Sequence, residues 1–457
     1  MGLFLTLFLL AGATTARGAD PVSLTILHTN DTHGHLLPFS YPERAEPGSP
    51  TAGLAQRRDI GGIARRASLV SSQRAELDGR GIASWLIDCG DYCDGTPFST
   101  EYHGEADVAA MNAAGYDFAT LGNHEFNNTL AQLRKLVGMS RFAVLCANAS
   151  TRENSQPLTT PWTIRAIGPV RIGLFGIVTR DAGGYPAARE GVDIEDELPA
   201  ARRVVEELRD KTDILVLISH AGLETDLELA GALPEIDVIV GGHSHSRLPS
   251  GEFVWGSEAL SATEVNGTIV VQAHQWGGEL GRLDLLFQQD PADGTWSVGR
   301  YRARLMPITS ALPDHPEVAA VVEQYWEPIA GKYGEVIAQA EEDFAGWGDD
   351  RAEYNLVADA VREIFRTDLA LENLGGVRAP ILRGDITRAD LVTMDPFNNT
   401  VVTFRISGAE LRRVLAKYQP AVSGIRYRVQ GDEVVEATVN GKPLRDVLVD
   451  PETAQLT

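Results

Sequence analysis

Cysteine is scarce, with only Cys89, Cys93 and Cys146 in 457 residues. An odd number cannot all pair within one chain. Neither a CxxC pair nor the Cys/His spacing of a structural zinc site occurs, so buried or free thiols are expected. Positive charge is also short: 40 basic residues against 63 acidic ones give a formal net charge of −23. Such a surface repels phosphate backbones and excludes nucleic acid as a general partner. It still admits a small anion wherever cations offset the field locally. No apolar run reaches the ~20 residues of a membrane span, and repeats and low-complexity tracts are missing. With 44% hydrophobic and 23% charged residues the composition is that of a folded protein. The length exceeds the usual size of one domain, so two are expected.

What is present begins at the N-terminus. The apolar run Leu3–Ala13 is followed by small residues and Ala16-Arg17-Gly18-Ala19-Asp20. This reads as a secretory signal over residues 1–19, cleaved near Ala19, which places the mature protein in the periplasm or outside the cell. No cysteine closes the signal, so a lipid anchor there has no support. Beyond residue 20, short buried strands alternate with helical segments. Leu24–His28, Ser84–Ile87, Phe142–Leu145, Ile172–Val178, Ile214–Ile218, Val238–Val240 and Ile269–Val271 read as strands. Asp107–Ala114 and Ala200–Asp210 read as helices between them, giving a layered α/β domain over 20–305. The proline-rich stretch Pro38–Pro50 reads as a surface loop. An amphipathic helix begins at Pro316 within a connector, 306–334. A second α/β block follows over 335–457, with helices at Tyr354–Phe365 and Gly408–Lys417 and a turn at Gly375-Gly376.

Functional side chains of α/β folds gather where strands end and loops open a crevice. Five places in the first domain fit. They are Asn30-Asp31-Thr32-His33-Gly34-His35, Asp88-Cys89-Gly90-Asp91, Gly122-Asn123-His124-Glu125, Ser219-His220 and Gly241-Gly242-His243-Ser244-His245. Of the six histidines they hold, His33, His124, His220, His243 and His245 are the candidates, half of the ten in the chain. Carboxylates and imidazoles recurring after buried strands make isolated structural roles improbable, and mixed Asp/His/Asn donors suit zinc or manganese. A carboxylate shared by two ions is the economical way to hold them ~3.5–4 Å apart, as in two-metal hydrolases.

The ordered set DTH, GD, GNHE, SH and GHSH resembles the calcineurin-like metallophosphatase superfamily. Its longer context is similar to the secreted 5′-nucleotidase/UDP-sugar hydrolase family. The resemblance implies a four-layer α-β-β-α metallophosphatase domain followed by a smaller, here truncated, α/β 5′-nucleotidase C-terminal domain. It implies two divalent metal ions (Zn, Mn or similar), with Asp31, His33 and His245 on one, Asn123, His220 and His243 on the other, and Asp91 bridging. His124 matches the histidine that steadies the phosphoryl group or leaving oxygen. His28, His35, His103, His274 and His315 match no ligand position. The implied reaction is in-line attack by metal-activated water on a small phosphate ester, first of all a nucleoside 5′-monophosphate. Nucleotide sugars, cyclic nucleotides and small phosphomonoesters are the alternative substrates. A catalytically impaired, metal-retaining ligand-binding protein is the alternative of another class. Oligomeric state stays open.

Three departures qualify the expectation. Asn127 stands where the family carries the acid that pairs with the histidine; an amide orients the ring but supplies no charge. In the second block, Asn373-Leu374-Gly375-Gly376-Val377-Arg378 resembles the family's substrate loop with Leu374 in place of a glycine. The turn Asp395-Pro396-Phe397-Asn398-Asn399 resembles another substrate segment. Asn373, Arg378 and, further upstream, Arg351 are therefore the expected substrate contacts. The family clamps its base between two aromatics. Here Gln419, beside Tyr418, occupies the first position, and the chain ends at Thr457 before the second.

Overall fold

The computed structural model describes residues 19–41, 57–255, 267–344, 352–397, 399–439 and 441–444. The expected signal up to Gly18, Arg351 and the last thirteen residues lie outside these. Strands with apolar residues on both faces must be covered on both, and the first domain is built to do this. Val22–Thr29, Ala83–Asp88, Phe118–Thr120 and Ala143–Leu145 run parallel in one sheet, extended at its edge by antiparallel Glu279–Gln289 and Trp296–Pro307. A second six-stranded sheet has Val170–Val178, Ile214–His220, Val238–Val240 and Gly267–Ala273 parallel at its centre. Trp162–Ile167 and Arg247–Trp255 are its antiparallel edges.

The two sheets pack face to face. Leu24, Ile26, Trp85 and Ile87 of the first share a core with Ile172, Leu174, Ile214 and Val216 of the second. The opposite face of the first sheet, with Leu27 and Leu86, is covered by helices Ile63–Asp78, Glu105–Ala114 and Leu130–Met139. That of the second, with Phe175 and Leu217, is covered by Glu197–Leu208 and Leu223–Ala232. The result is the four-layer α-β-β-α arrangement expected from the motifs. Its consequence for function is geometric: the parallel strands of both sheets end on the same side, and their loops face one another there.

Two local expectations change. The Pro38–Pro50 stretch starts as a strand, Pro38–Tyr41, hydrogen-bonded to Arg57–Gly61, and its remainder lies outside the described residues. Phe39 packs edge-on against Trp276, which gives an otherwise loop-like, proline-led sequence a reason to be extended. The helix Pro316–Tyr333 does more than connect. Val318 and Val322 enter the outer core of the first sheet. Phe98–Trp326 and Tyr102–Tyr325 ring contacts at 5.6 and 4.9 Å fasten it to the preceding helices.

The C-terminal block has two small cores, one around Val357, Val377, Ile381 and Met394 and one around Leu411, Leu415 and Ile425. Its helices Arg388–Met394 and Gly408–Tyr418 each begin with a reciprocal capping box, Thr387 with Asp390 and Ser407 with Glu410. Arg378 N–H donates to Met394 O at 2.7 Å, which ties the loop at Asn373–Arg378 to the helix that leads into Asp395–Phe397.

Candidate metal centre and substrate cavity

Asp31 and His33 follow the first strand, Asp91 follows Ala83–Asp88, and Asn123 and His124 follow Phe118–Thr120. His220 ends its own strand, and His243 and His245 follow Val238–Val240. Turns this tight force the chain out of ordinary backbone space. Asp31, His33, Asp91, Asp94, His243 and His245 all have positive φ, between 45° and 74°. Non-glycine residues in this region are strained, and their concentration at one site marks a geometry maintained by its surroundings. Glycine supplies the closest approach: a Cβ on Gly122 would stand 2.1 Å from Asp91 Oδ1.

The side chains converge as two overlapping groups. In one, Asp31 Oδ1 lies 3.3 Å from His245 Nε2 and 3.9 Å from His33 Nε2. In the other, Asp91 Oδ2 lies 3.1 Å from His220 Nε2, with His243 in the same cluster. Asn123 Oδ1 is 3.2 Å from His220 Nε2. Asp91 Oδ2 also faces His33 Nε2 at 3.8 Å, and so stands between the groups. His124 Nε2 faces the same oxygen at 3.9 Å.

Neighbouring groups aim these donors. Cys89 O lies 2.6 Å from His220 Nδ1 and Asp94 O lies 2.9 Å from His33 Nδ1. A carbonyl only accepts, so each ring carries its proton there and leaves Nε2 free as a ligand. Asn123 Nδ2 donates to the Tyr185 hydroxyl at 2.9 Å, leaving its oxygen for the site. Glu125 accepts from four main-chain N–H groups, of Gly122, Asp91, Tyr92 and Cys93, at 2.6 to 3.3 Å. It staples the two loops that carry Asp91 and His124.

The electrostatics suit a cation. Burial pushes Asp91 up, but the nearby His220 and His124 rings reverse this and hold its carboxyl well below the ordinary range. Burial lowers His220, yet Asp91 dominates and raises it to about 10. Burial and His220 together push His243 down to about 4. Such mutual dependence of buried acids and imidazoles is what a bound cation relieves, and the carboxylate, imidazole and amide oxygen donors fit two borderline divalent ions.

Around this centre lies a cavity of about 770 Å³ between the two domains, lined among others by Asp91, His124, Asn127, Tyr185, Arg378 and Phe397. Arg378 Nη2 reaches to 3.0 Å from His33 Nε2, and its guanidinium lies over Phe397, 5.6 Å from the ring centre. Phe397 in turn stacks on His124 at 5.3 Å. Asn373 also lines the cavity, with its amide turned to accept from Gly376 N–H at 2.8 Å. The expected ligands, His124, Asn127, Asn373 and Arg378 are thus brought to one place. Tyr418, the aromatic nearest the expected base clamp, is exposed and does not line the cavity.

Sequence reasoning passed over Asp94, Tyr185 and the ring of Phe397. For Asp94 a signal existed, a second acid three residues after Asp91 in the same glycine-rich turn. Of the histidines matched to no ligand, His28 and His35 are buried structural rings, whereas His103 lines the cavity. All three cysteines are free and buried.

Comparison with known proteins adds the context for this geometry. The calcineurin-like phosphoesterase family matches residues 24–247, and the 5′-nucleotidase C-terminal domain matches residues 336–447. A 5′-nucleotidase of Vibrio cholerae is 30% identical, with 95% of this chain and 85% of the relative covered. The protein UshA of Yersinia enterocolitica is 29% identical over 92% of this chain and 82% of its own. Among solved structures, a 5′-nucleotidase precursor from Thermus thermophilus superposes with a TM-score of 0.78 at 29% identity, covering 93% of this chain and 87% of that one. A sulfate thiohydrolase, SoxB, from Thermus thermophilus has the same fold, with a TM-score of 0.80 at 23% identity and 93% and 87% coverage.

Proposed function

Because the chain belongs to the 5′-nucleotidase family of calcineurin-like phosphoesterases, and so is a hydrolase of phosphate esters, we propose that it is an exported enzyme that cleaves nucleoside 5′-monophosphates with two divalent ions. The observation that carries this reading is Asp91. Its Oδ2 faces donors of both histidine groups, at the floor of a cavity that also receives Arg378 and His124. Asp31, His33 and His245 would hold one ion, Asn123, His220 and His243 the other, with Asp91 between them. When bound, the ions supply an acidified water and positive charge for the phosphoryl oxygens.

The chain's own residues then divide the remaining work. Arg378 presents a planar fork matched to two phosphoryl oxygens and is kept in place by Phe397. His124 turns Nε2 toward the site and donates a hydrogen bond to a phosphoryl or leaving oxygen. Packing against Phe397 and Tyr185 restricts its ring to that orientation. The cysteines are no candidates for a nucleophile. Burial raises Cys89 and Cys93 well above the ordinary thiol value and pushes Cys146 up to about 12.

A second reading, toward small phosphomonoesters, has an observation of its own. The cavity aromatics Tyr185 and Phe397 are engaged with His124, and Tyr418 points elsewhere. Among the described residues no further Phe, Tyr or Trp lines this cavity. Base–aromatic stacking is worth about 1–3 kcal/mol elsewhere, so discrimination among bases should be weak. The test is phosphate release from AMP, GMP, UMP, CMP, ribose 5-phosphate and p-nitrophenyl phosphate by zinc- or manganese-loaded protein. Turnover of all four nucleotides with similar kcat/KM is expected. Ribose 5-phosphate outpacing them favours the second reading, and no release from any ester rejects both.

A further inference from the structure

The back of the His124 ring is held by two side chains rather than one. Asn127 Nδ2 lies 2.9 Å from His124 Nδ1, and the same nitrogen donates to Asp94 Oδ2. Asp94 Oδ2 is 3.7 Å from Nδ1, too far for a direct hydrogen bond. An amide alone would leave the ring unspecified, because turning it over exchanges its oxygen for its NH2 with almost no change of shape. A carboxylate is different, since it only accepts. Asp94 therefore selects the NH2 end of Asn127. With the same nitrogen 2.9 Å from Nδ1, its second hydrogen has Nδ1 as acceptor, so in the neutral ring the proton resides on Nε2.

Asp94 acts on a second histidine in the opposite sense. Its carbonyl faces His33 Nδ1 at 2.9 Å and keeps the proton there, so that the lone pair of His33 Nε2 is turned to the site. Its own position is fixed by a left-handed backbone, φ 70°, and by an N–H donated to Ser99 Oγ at 2.7 Å. One residue thus prepares one imidazole as a ligand and another as a donor.

We propose that Asp94 is the positioning residue for His124: through the amide of Asn127 its carboxylate fixes the ring with N–H at Nε2, toward the phosphoryl group. The inference rests on the phosphoesterase reading of the same site. It also corrects the expectation that Asn127 leaves His124 without a charged partner. The carboxylate is present, displaced to residue 94, with the amide between.

Asp94→Asn is the direct test. Asparagine tolerates a left-handed backbone and retains the carbonyl to His33, so the fold and the metal content should persist. Two facing amides have no fixed direction, however, and kcat for p-nitrophenyl phosphate should fall about tenfold or more while KM stays within about twofold. A reading independent of turnover is the 15N spectrum of His124 in metal-free protein at a pH where the ring is neutral. The wild type should show the proton on Nε2, and Asp94→Asn should show it shared between both nitrogens. Asn127→Leu, which removes the bridge and spares Asp94, should give the same loss and is the recourse if Asp94→Asn does not fold. An unchanged tautomer, an unchanged kcat, or loss of metal in step with activity overturns the proposal. Wild-type protein inactive on every ester counts against the phosphoesterase reading instead, and the 15N spectra still decide this one.

Discussion

At the scale of single residues, position 127 shows how little a residue's identity says without its neighbours. Read in the sequence, Asn127 is a missing charge, and restoring it as aspartate should speed turnover. In the fold, residue 127 is hydrogen-bonded to Asp94, 33 positions earlier. Asn127→Asp would set two carboxylates against each other and remove the bridging N–H. Turnover should fall about tenfold rather than rise, which steady-state kinetics on p-nitrophenyl phosphate will measure; a rise would mean that Asp94 does not face this residue. Asp91 invites a different comparison. Facing both groups, it should matter more for metal retention than any single histidine. Metal analysis after dialysis should find about two ions in the wild type, about one in His33→Ala and almost none in Asp91→Ala. Equal losses in the two variants would remove the bridging role.

At the scale of elements, the site depends on two loops keeping their distance. Glu125 achieves this with four accepted N–H bonds, at 2.6 Å from Gly122, 2.9 Å from Asp91, 3.1 Å from Tyr92 and 3.3 Å from Cys93. In the sequence Glu125 is only the last letter of a motif. Its function as a staple appears once both loops are in view. Glu125→Gln replaces one acceptor oxygen by an NH2 group that must face main-chain N–H donors. The cost should be about 1–3 kcal/mol of stability, seen as a lower melting temperature. Metal affinity should weaken as well, because Asp91 is one of the stapled residues. Isothermal titration with Mn²⁺ will read this, and an affinity equal to that of the wild type would show that the Asp91 loop holds itself.

At the scale of the whole molecule, burial of ionisable groups between layers makes stability depend on pH. His28, inside the first strand, packs its ring where a Cβ on Gly281 would stand 2.1 Å from Nε2, and burial lowers its pKa to about 4. The unfolded chain, with an ordinary histidine, takes up a proton that the folded protein refuses. Stability should therefore be fully present above about pH 6.5, fall as pH drops toward 4, and level off below. The contribution of this one ring is about 3 kcal/mol. Thermal melts of metal-free wild type and His28→Gln between pH 4 and 7 will isolate it, since the variant should lose that part of the slope. Parallel curves would show that the ring takes up its proton in the fold as readily as in the unfolded chain. The two domains are linked at the same scale. Arg378 and His33 meet from 345 residues apart, so cavity and metal centre exist together only when both domains are docked.

The strand-and-helix alternation, the layered first domain and the candidate ligand residues at strand ends were determined by the sequence itself. The reason is local: an apolar strand followed by a short polar turn places its first acids and histidines at the sheet's edge whatever else happens. The same holds for the helices at Gly408 and Pro316, where the capping serine and the leading proline lie within a few residues of what they terminate. Only the tertiary structure decided the pairings across loops. Asp94 with Asn127, Glu125 with the Asp91 turn, Phe397 on His124 and Arg378 beside His33 join segments that are distant in the chain. Which hydrogen lies on which imidazole nitrogen follows from those pairings. A hydrogen bond is made or lost over a few tenths of an ångström, and sequence spacing carries no information at that resolution.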